Sequence, residues 1–234
     1  MDITAFLLGQ KDLNISVLEL LPLCTVPFIY SSCDSHYNKG EVNNMARERK
    51  FSDRELYQAT KELLLNYGYE GYTFTLLANQ LDVSRAAIYK YYDNKEELLS
   101  EYMLYELTTF LNELKKVGKE KTFSDQFHAL FNFIFDDMSL YVLRDIGMQI
   151  PNANKKVAAN KQKISNIHIE LYTSLQHFID LGRREKILRE DIPSNLVLGM
   201  IFQTVNIPNT EGIPHQDWVN TIKDVISHGI FKSE

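Results

Sequence analysis

From Ser52 onward, apolar side chains recur every three or four residues, and short polar clusters of capping type interrupt the rhythm. Ser52-Asp53-Arg54-Glu55 has the form of a capping box, in which the serine accepts from the backbone and the glutamate reaches back. Behind it Leu56, Ala59, Leu63, Leu64 and Tyr67 fall on one face of a helix. Gly68 is expected to end that helix, as glycine does where a chain turns left-handed. Thr73 is placed to cap a short helix over 74–81, and Ser84 to cap another over 85–91. Asn94 and Glu97 form a second polar box, which opens a fourth helix running to 117.

The same period continues through the rest of the chain. Thr122 and Asp125 precede an aromatic-rich face of Phe127, Leu130, Phe131, Ile134, Phe135 and Met138. A long segment from Asn154 carries Ile164, Ile167, Leu171, Leu175, Phe178 and Ile179. Pro193 opens a further helix with Leu196, Val197, Met200, Ile201 and Val205; a loop spans 208–214; Trp218, Ile222, Val225 and Ile226 mark the last helix. No stretch alternates with the two-residue period of a strand, so the fold class is all-α.

The first 44 residues break this pattern. They sustain no helical period, hold two prolines and both cysteines, Cys24 and Cys33, and end in a polar run. Met45-Ala-Arg-Glu-Arg-Lys50 reads as the natural opening of a bacterial protein, and Lys39-Gly40-Glu41 has typically purine-rich codons at ribosome-binding distance upstream. The expectation is that Met45 is the true start and 1–44 a translated leader; the alternative is a poorly ordered extension. The apolar run over 17–30 is interrupted by Glu19, Pro22, Thr25 and Pro27, and only Lys11 precedes it, against the basic opening of a secretory signal.

Composition narrows the class. Hydrophobic residues make up 44% and charged ones 24% of 234 residues, the balance of a globular chain. No apolar run is long enough for a membrane span, and two cysteines make no disulfide framework or zinc site, so the cytoplasm is the expected compartment. No glycine-rich phosphate loop, Gly-x-Ser-x-Gly or His-Glu-x-x-His occurs, which speaks against an enzyme, and no cofactor or metal is expected. His168 and His177 are not at ligand spacing on one face. The formal charge is −6, and residues 45–99 hold eight basic against nine acidic side chains. A nucleic-acid partner therefore requires a local basic face, for which Arg47, Arg49, Lys50, Arg85, Lys90 and Lys95 are candidates, with Glu62, Glu70 and Glu96 pointing elsewhere.

Residues 78–88 carry the chemistry. A helix-turn-helix needs a small residue where its helices cross, supplied by Ala78. Its turn favours a positive φ, and Asp82 is among the few non-glycine residues that tolerate one. Val83 and Ile88 are the apolar plugs between the helices. This stretch, with Asn66-Tyr-Gly-Tyr-Glu-Gly71, Ile88-Tyr89-Lys90-Tyr91-Tyr92 and Asn94-Lys95-Glu96-Glu97-Leu98-Leu99, resembles the N-terminal signature of the TetR family of bacterial transcriptional regulators. The likeness is specific over 51–99 and is only a helical layout beyond. Two positions depart from the pattern: Asp82 replaces the usual turn glycine, and Ala86 stands where glycine is common in the recognition helix.

The resemblance implies a three-helix helix-turn-helix DNA-binding domain over 45–99, followed by a helical effector-binding and dimerisation domain over 100–234. Ser84, Arg85, Ala86, Ala87, Tyr89 and Lys90 then belong to the reading helix. Arginine suits guanine O6 and N7, and Ala87 suits a thymine methyl. Tyr91, Lys95 and the hydroxyls of Thr73 and Thr75 suit phosphates. An effector pocket is expected among Phe127, Phe131, Phe135, Met138, Leu171 and Leu175, with Tyr102, Tyr105, His168 and Gln176 as polar anchors. An aromatic stripe at helical spacing is, however, more often plain core. Helices over 193–206 and 216–230 resemble the family's dimer-forming pair, with Leu196, Met200, Trp218, Ile222 and Val225 as contacts.

The implied partners are a double-stranded DNA operator, a second copy of the chain and an unidentified small-molecule effector. Effector binding would shift the fourth helix and alter the spacing of the two reading helices, releasing a repressor. The alternative is a co-regulator that keeps the fold but binds a protein instead of DNA.

Overall fold

The computed structural model describes residues 51–136 and 139–231. Expectations concerning the 1–44 leader, Cys24, Cys33, the start at Met45, the basic arm of Arg47, Arg49 and Lys50, and Met138 lie outside the described residues.

Among the described residues the regular structure is helical: α1 Asp53–Gly71, α2 Phe74–Gln80, α3 Arg85–Tyr89, α4 Lys95–Val117, α5 Phe123–Asp136, α6 Ser139–Gln149, α7 Lys155–Arg184, α8 Ser194–Gln203 and α9 His215–Ile230. A 3-10 turn, Thr204–Asn206, extends α8, and Leu188 and Phe231 form one isolated antiparallel bridge. No strand is formed, and no helix is long and apolar enough to cross a membrane among these residues.

The polar clusters set the helix starts. Ser52 Oγ accepts from the Glu55 N–H at 3.2 Å, and the Glu55 carboxylate accepts from the Ser52 N–H at 2.7 Å. The Ser52 N–H and the Ser52 hydroxyl, which donates to the same carboxylate at 2.8 Å, hold the Glu55 carboxyl below its ordinary pKa. Thr73 caps α2 by accepting from Leu76 N–H at 3.3 Å, and Asn94 caps α4 by accepting from Glu97 N–H at 2.9 Å. Ser84 stands at the cap position of α3 but makes no side-chain cap bond. Gly68 adopts φ 64° as expected, but helical geometry resumes beyond it to Gly71, so the glycine kinks α1 before its end. Tyr67, read from the sequence as part of the apolar face, is 55% exposed, at the point where the regular helix gives way to the Gly68 kink. Helix α6 has no counterpart among the elements that the sequence pattern predicts.

The chain divides into two compact units. The described part of the first comprises 51–106 and 141–162. Leu56, Leu64, Leu77, Ile88, Leu98 and Leu99 are each at most 1% exposed and form its centre. In the second, which includes 107–136 and 163–231, Phe123 meets Phe178 at 4.8 Å and Phe127 at 6.1 Å, while Phe231 closes on both Phe123 and Phe127. Helix α9 packs on α5 and α8, and buried Lys223 donates to Asn132 Oδ1 at 2.7 Å. Helices α4 and α7 each contribute their early turns to the first unit and their later turns to the second.

Candidate nucleic-acid interface

The helix-turn-helix forms from α2, the turn at Asp82 and α3. Ala78 is 2% exposed, and its carbonyl accepts from the Val83 N–H at 2.9 Å, which folds the turn back on α2. Asp82 takes φ 50°, the left-handed conformation that the motif requires. Val83 is half-buried and Ile88 fully buried, so the inner face of α3 is spent on packing. Its outer face is left to solvent.

That outer face carries Arg85, Ala86, Tyr89 and Lys90, all exposed, while Ala87 is half-buried. Arg85 donates to the Tyr89 hydroxyl at 3.5 Å and lies 5.8 Å from the centre of its ring. Tyr89 in turn stands edge-on to buried Phe74 at 5.1 Å, so Arg85 leans on a ring anchored in the core. Ser84, Thr73 and Thr75 are exposed beside this surface, although the Thr73 hydroxyl already accepts from Leu76. Tyr91 is half-buried with its ring edge-on to Phe51 at 6.0 Å.

Lys95 is placed differently from the expectation. Its ammonium donates to the Tyr69 carbonyl at 2.9 Å and sits 4.1 Å from the centre of the Tyr69 ring. The neighbouring Glu96 accepts from the Tyr69 hydroxyl at 2.9 Å. Burial and that bond push the Tyr69 hydroxyl up to about 12. Lys95 thus fastens the start of α4 to the kink of α1, and a phosphate would compete with those partners. Of the acids expected to point away, Glu62 is taken up by Gln58 and Gln80, and Glu96 by Tyr69; Glu70 is exposed.

Residues 56–102 match the family profile described as "Bacterial regulatory proteins, tetR family". That segment, from α1 to the first turns of α4, carries the TetR-type DNA-binding domain signature. The fatty acid metabolism regulator protein of Bacillus subtilis (strain 168) is 23% identical over 157 residues, covering 65% of this chain and 78% of that relative. The crystal structure of the B. subtilis transcriptional regulator FadR in complex with stearoyl-CoA superposes with a TM-score of 0.55 at 19% identity, over 76% of this chain and 100% of the other. The TetR family regulator PfmR of Thermus thermophilus gives 0.58 at 18% identity, over 74% and 97%. At these identities the structural likenesses establish the fold.

The residues expected to line an effector pocket are distributed over both units. Tyr102 and Tyr105 belong to the first, where they meet Tyr57 at 5.8 and 4.7 Å. Phe127, Phe131 and Phe135 belong to the second, at most 5% exposed and ranged along α5 with centres 4.7 and 6.2 Å apart. Leu171 is buried, Leu175 and Gln176 are half-buried, and His168 is half-buried with its Nε2 enclosed and lacking a partner. Burial lowers the His168 pKa, which keeps the ring neutral. A cavity of about 670 Å³ in the second unit is lined instead by residues including Leu114, Leu130, Phe178, Leu181, Gln126 and Arg184. Of the expected dimer contacts, Leu196 and Val225 are 53% and 65% exposed, and Met200 and Trp218 are half-buried. Ile222 is 6% exposed and turns into its own unit.

The sequence reading missed Asn154 and Lys156, which sit with Glu97 and Glu101 in the first unit. Nothing in the helix-turn-helix pattern signals them, because they lie some fifty residues beyond the family match.

Proposed function

We propose that this chain is a TetR-family regulator that binds an operator through α3 as a homodimer and acts as a repressor that a small molecule releases. The observation that carries the reading is the division of α3: Ile88 is buried to the last atom, while Arg85, Tyr89 and Lys90 stand exposed on the opposite side. A helix of this kind fits a major groove, where arginine pairs with guanine and lysine with the flanking phosphates. The two copies meet through α8 and α9, where Leu196 and Val225 are exposed apolar side chains on packed helices. Two-fold symmetry then places two reading helices on half-sites one helical turn, or a multiple of it, apart.

For the effector, the reading takes a long-chain acyl-CoA. The relative regulates fatty acid metabolism, and the B. subtilis FadR structure holds stearoyl-CoA. The cavity among α4, α5 and α7 has the volume and the mixed lining of a small-molecule site. Release requires only that the ligand bind the DNA-free arrangement more tightly than the DNA-bound one.

A mobility-shift titration with DNA from upstream of the protein's own gene tests both parts. The expected result is specific, salt-sensitive retardation that stearoyl-CoA reverses. Absence of retardation at low salt overturns the DNA reading in favour of a co-regulator. Retardation that stearoyl-CoA leaves untouched overturns the effector assignment alone.

A further inference from the structure

We propose that Lys156, at the start of α7, is a positioning residue for DNA recognition: it holds the acidic pair on α4 to which the segment following the reading helix is tied. The proposal rests on the DNA-binding reading above.

The node begins at Tyr92, three residues past the end of α3 and 1% exposed. Its backbone N–H donates to the Ile88 carbonyl at 3.2 Å, so its position is coupled to the last turn of the reading helix. Its hydroxyl donates to Glu101 Oε1 at 2.8 Å, and the Tyr57 hydroxyl of α1 donates to the same oxygen at 3.1 Å. One carboxylate oxygen therefore joins α1, α4 and the end of the helix-turn-helix. The other, Oε2, lies 3.5 Å from Lys156 Nζ. That ammonium is also 3.8 Å from Glu97 Oε2 and 4.8 Å from the centre of the Tyr92 ring.

Glu97 and Glu101 are four residues apart on α4, a spacing at which like charges repel. Lys156 reaches both, and it stacks on the ring whose hydroxyl Glu101 holds. Asn154 adds a second grip. Its Nδ2 donates to Glu97 Oε1 at 2.6 Å, while its own Oδ1 accepts from Val157 N–H at 3.0 Å to cap α7. Further along α7 the pairing with α4 repeats, with Asn160 Nδ2 donating to Ser100 Oγ at 3.1 Å and Ser100 Oγ donating to the Glu97 carbonyl at 3.0 Å. Removal of the ammonium leaves Glu97 and Glu101 without the cation that lies near both and against the Tyr92 ring.

The test uses the full chain and a duplex that the wild-type protein selects from a random pool. Lys156→Met is expected to weaken binding to that duplex at least fivefold, and Lys156→Arg to return it to within twofold of wild type. Because Lys156 acts through Tyr92 and touches no phosphate, the slope of log affinity against log salt is expected to stay unchanged in Lys156→Met. A lysine on a phosphate would instead lower it by about 0.9 per copy, or roughly 1.8 for the dimer. In the DNA-free protein, amide hydrogen exchange at Tyr91 and Tyr92 is expected to quicken, with α2 unaltered. Glu101→Gln added to Lys156→Met is expected to cost less than the sum of the two single changes. Binding within twofold of wild type, a slope lowered by one phosphate per copy, or unaltered exchange at Tyr91 and Tyr92 would each overturn the proposal. Failure of the wild-type chain to select any duplex defeats the DNA reading, and the exchange rates then judge the node on their own.

Discussion

Arg85 shows how a single side chain acquires direction. An exposed arginine on a five-residue helix has many rotamers, and fixing them costs entropy on binding. The Tyr89 ring, itself braced by Phe74, offers a surface on which the guanidinium rests, which lowers that cost in the proposed reading role. Arg85→Ala is expected to weaken operator binding by about 1–3 kcal/mol and to relax preference at one base pair. Titrations against a set of single-base operator variants check both effects; unchanged affinity and unchanged base preference contradict this choice of reading face. At the same scale, exposure and charge alone mislead for Lys95. Its basic type and its place at the start of α4 are legible in the sequence, but the Tyr69 carbonyl and ring that occupy it are brought near only by the Gly68 kink.

Helix boundaries are largely legible because their determinants are local. Ser52, Thr73 and Asn94 each cap within three residues of themselves, and Asp82 supplies its own left-handed turn. Helix α6 escapes for a physical reason: it is short, contains Gly147 and is closed by Pro151, which lowers its intrinsic helicity. Its signal is Leu143, Ile146 and Ile150, at three- and four-residue spacing and all buried. Such a helix gains its stability from packing that a local reading does not contain. The turn invites a direct test. Glycine accepts φ 50° without the Cβ clash that Asp82 bears, but it also loosens the unfolded chain. Asp82→Gly is therefore expected to leave stability within about 1 kcal/mol of wild type, whereas Asp82→Val is expected to lose more than that. Urea unfolding followed by circular dichroism separates the two; equal stabilities for glycine and valine contradict the role assigned to the turn.

At the scale of the molecule, what sequence periodicity leaves open is which side of an amphipathic helix meets its own unit and which meets another copy. Val225 and Ile222 both fall on the predicted dimer face, yet one is 65% exposed and the other 6%. Only the packing of α9 on α5 and α8 divides them. The compact units likewise follow tertiary packing: 141–162 joins the helix-turn-helix unit although it lies far along the chain. Val225→Asp places a charge on an exposed position, so the monomer's stability is expected to change by less than about 0.5 kcal/mol. Sedimentation velocity is expected to show a shift from dimer to monomer, since an unpaired charge in an apolar interface is costly. A dimer of unaltered strength removes α9 from the proposed interface.

In the proposed complex two copies of α3 read one duplex. Hydroxyl-radical footprinting of the wild-type chain on its selected duplex tests it at base resolution. The expected pattern is two protected half-sites related by a two-fold axis, with centres one helical turn or a multiple apart, both lost together in Val225→Asp. A single protected half-site, or uniform protection that follows salt but not sequence, would contradict it.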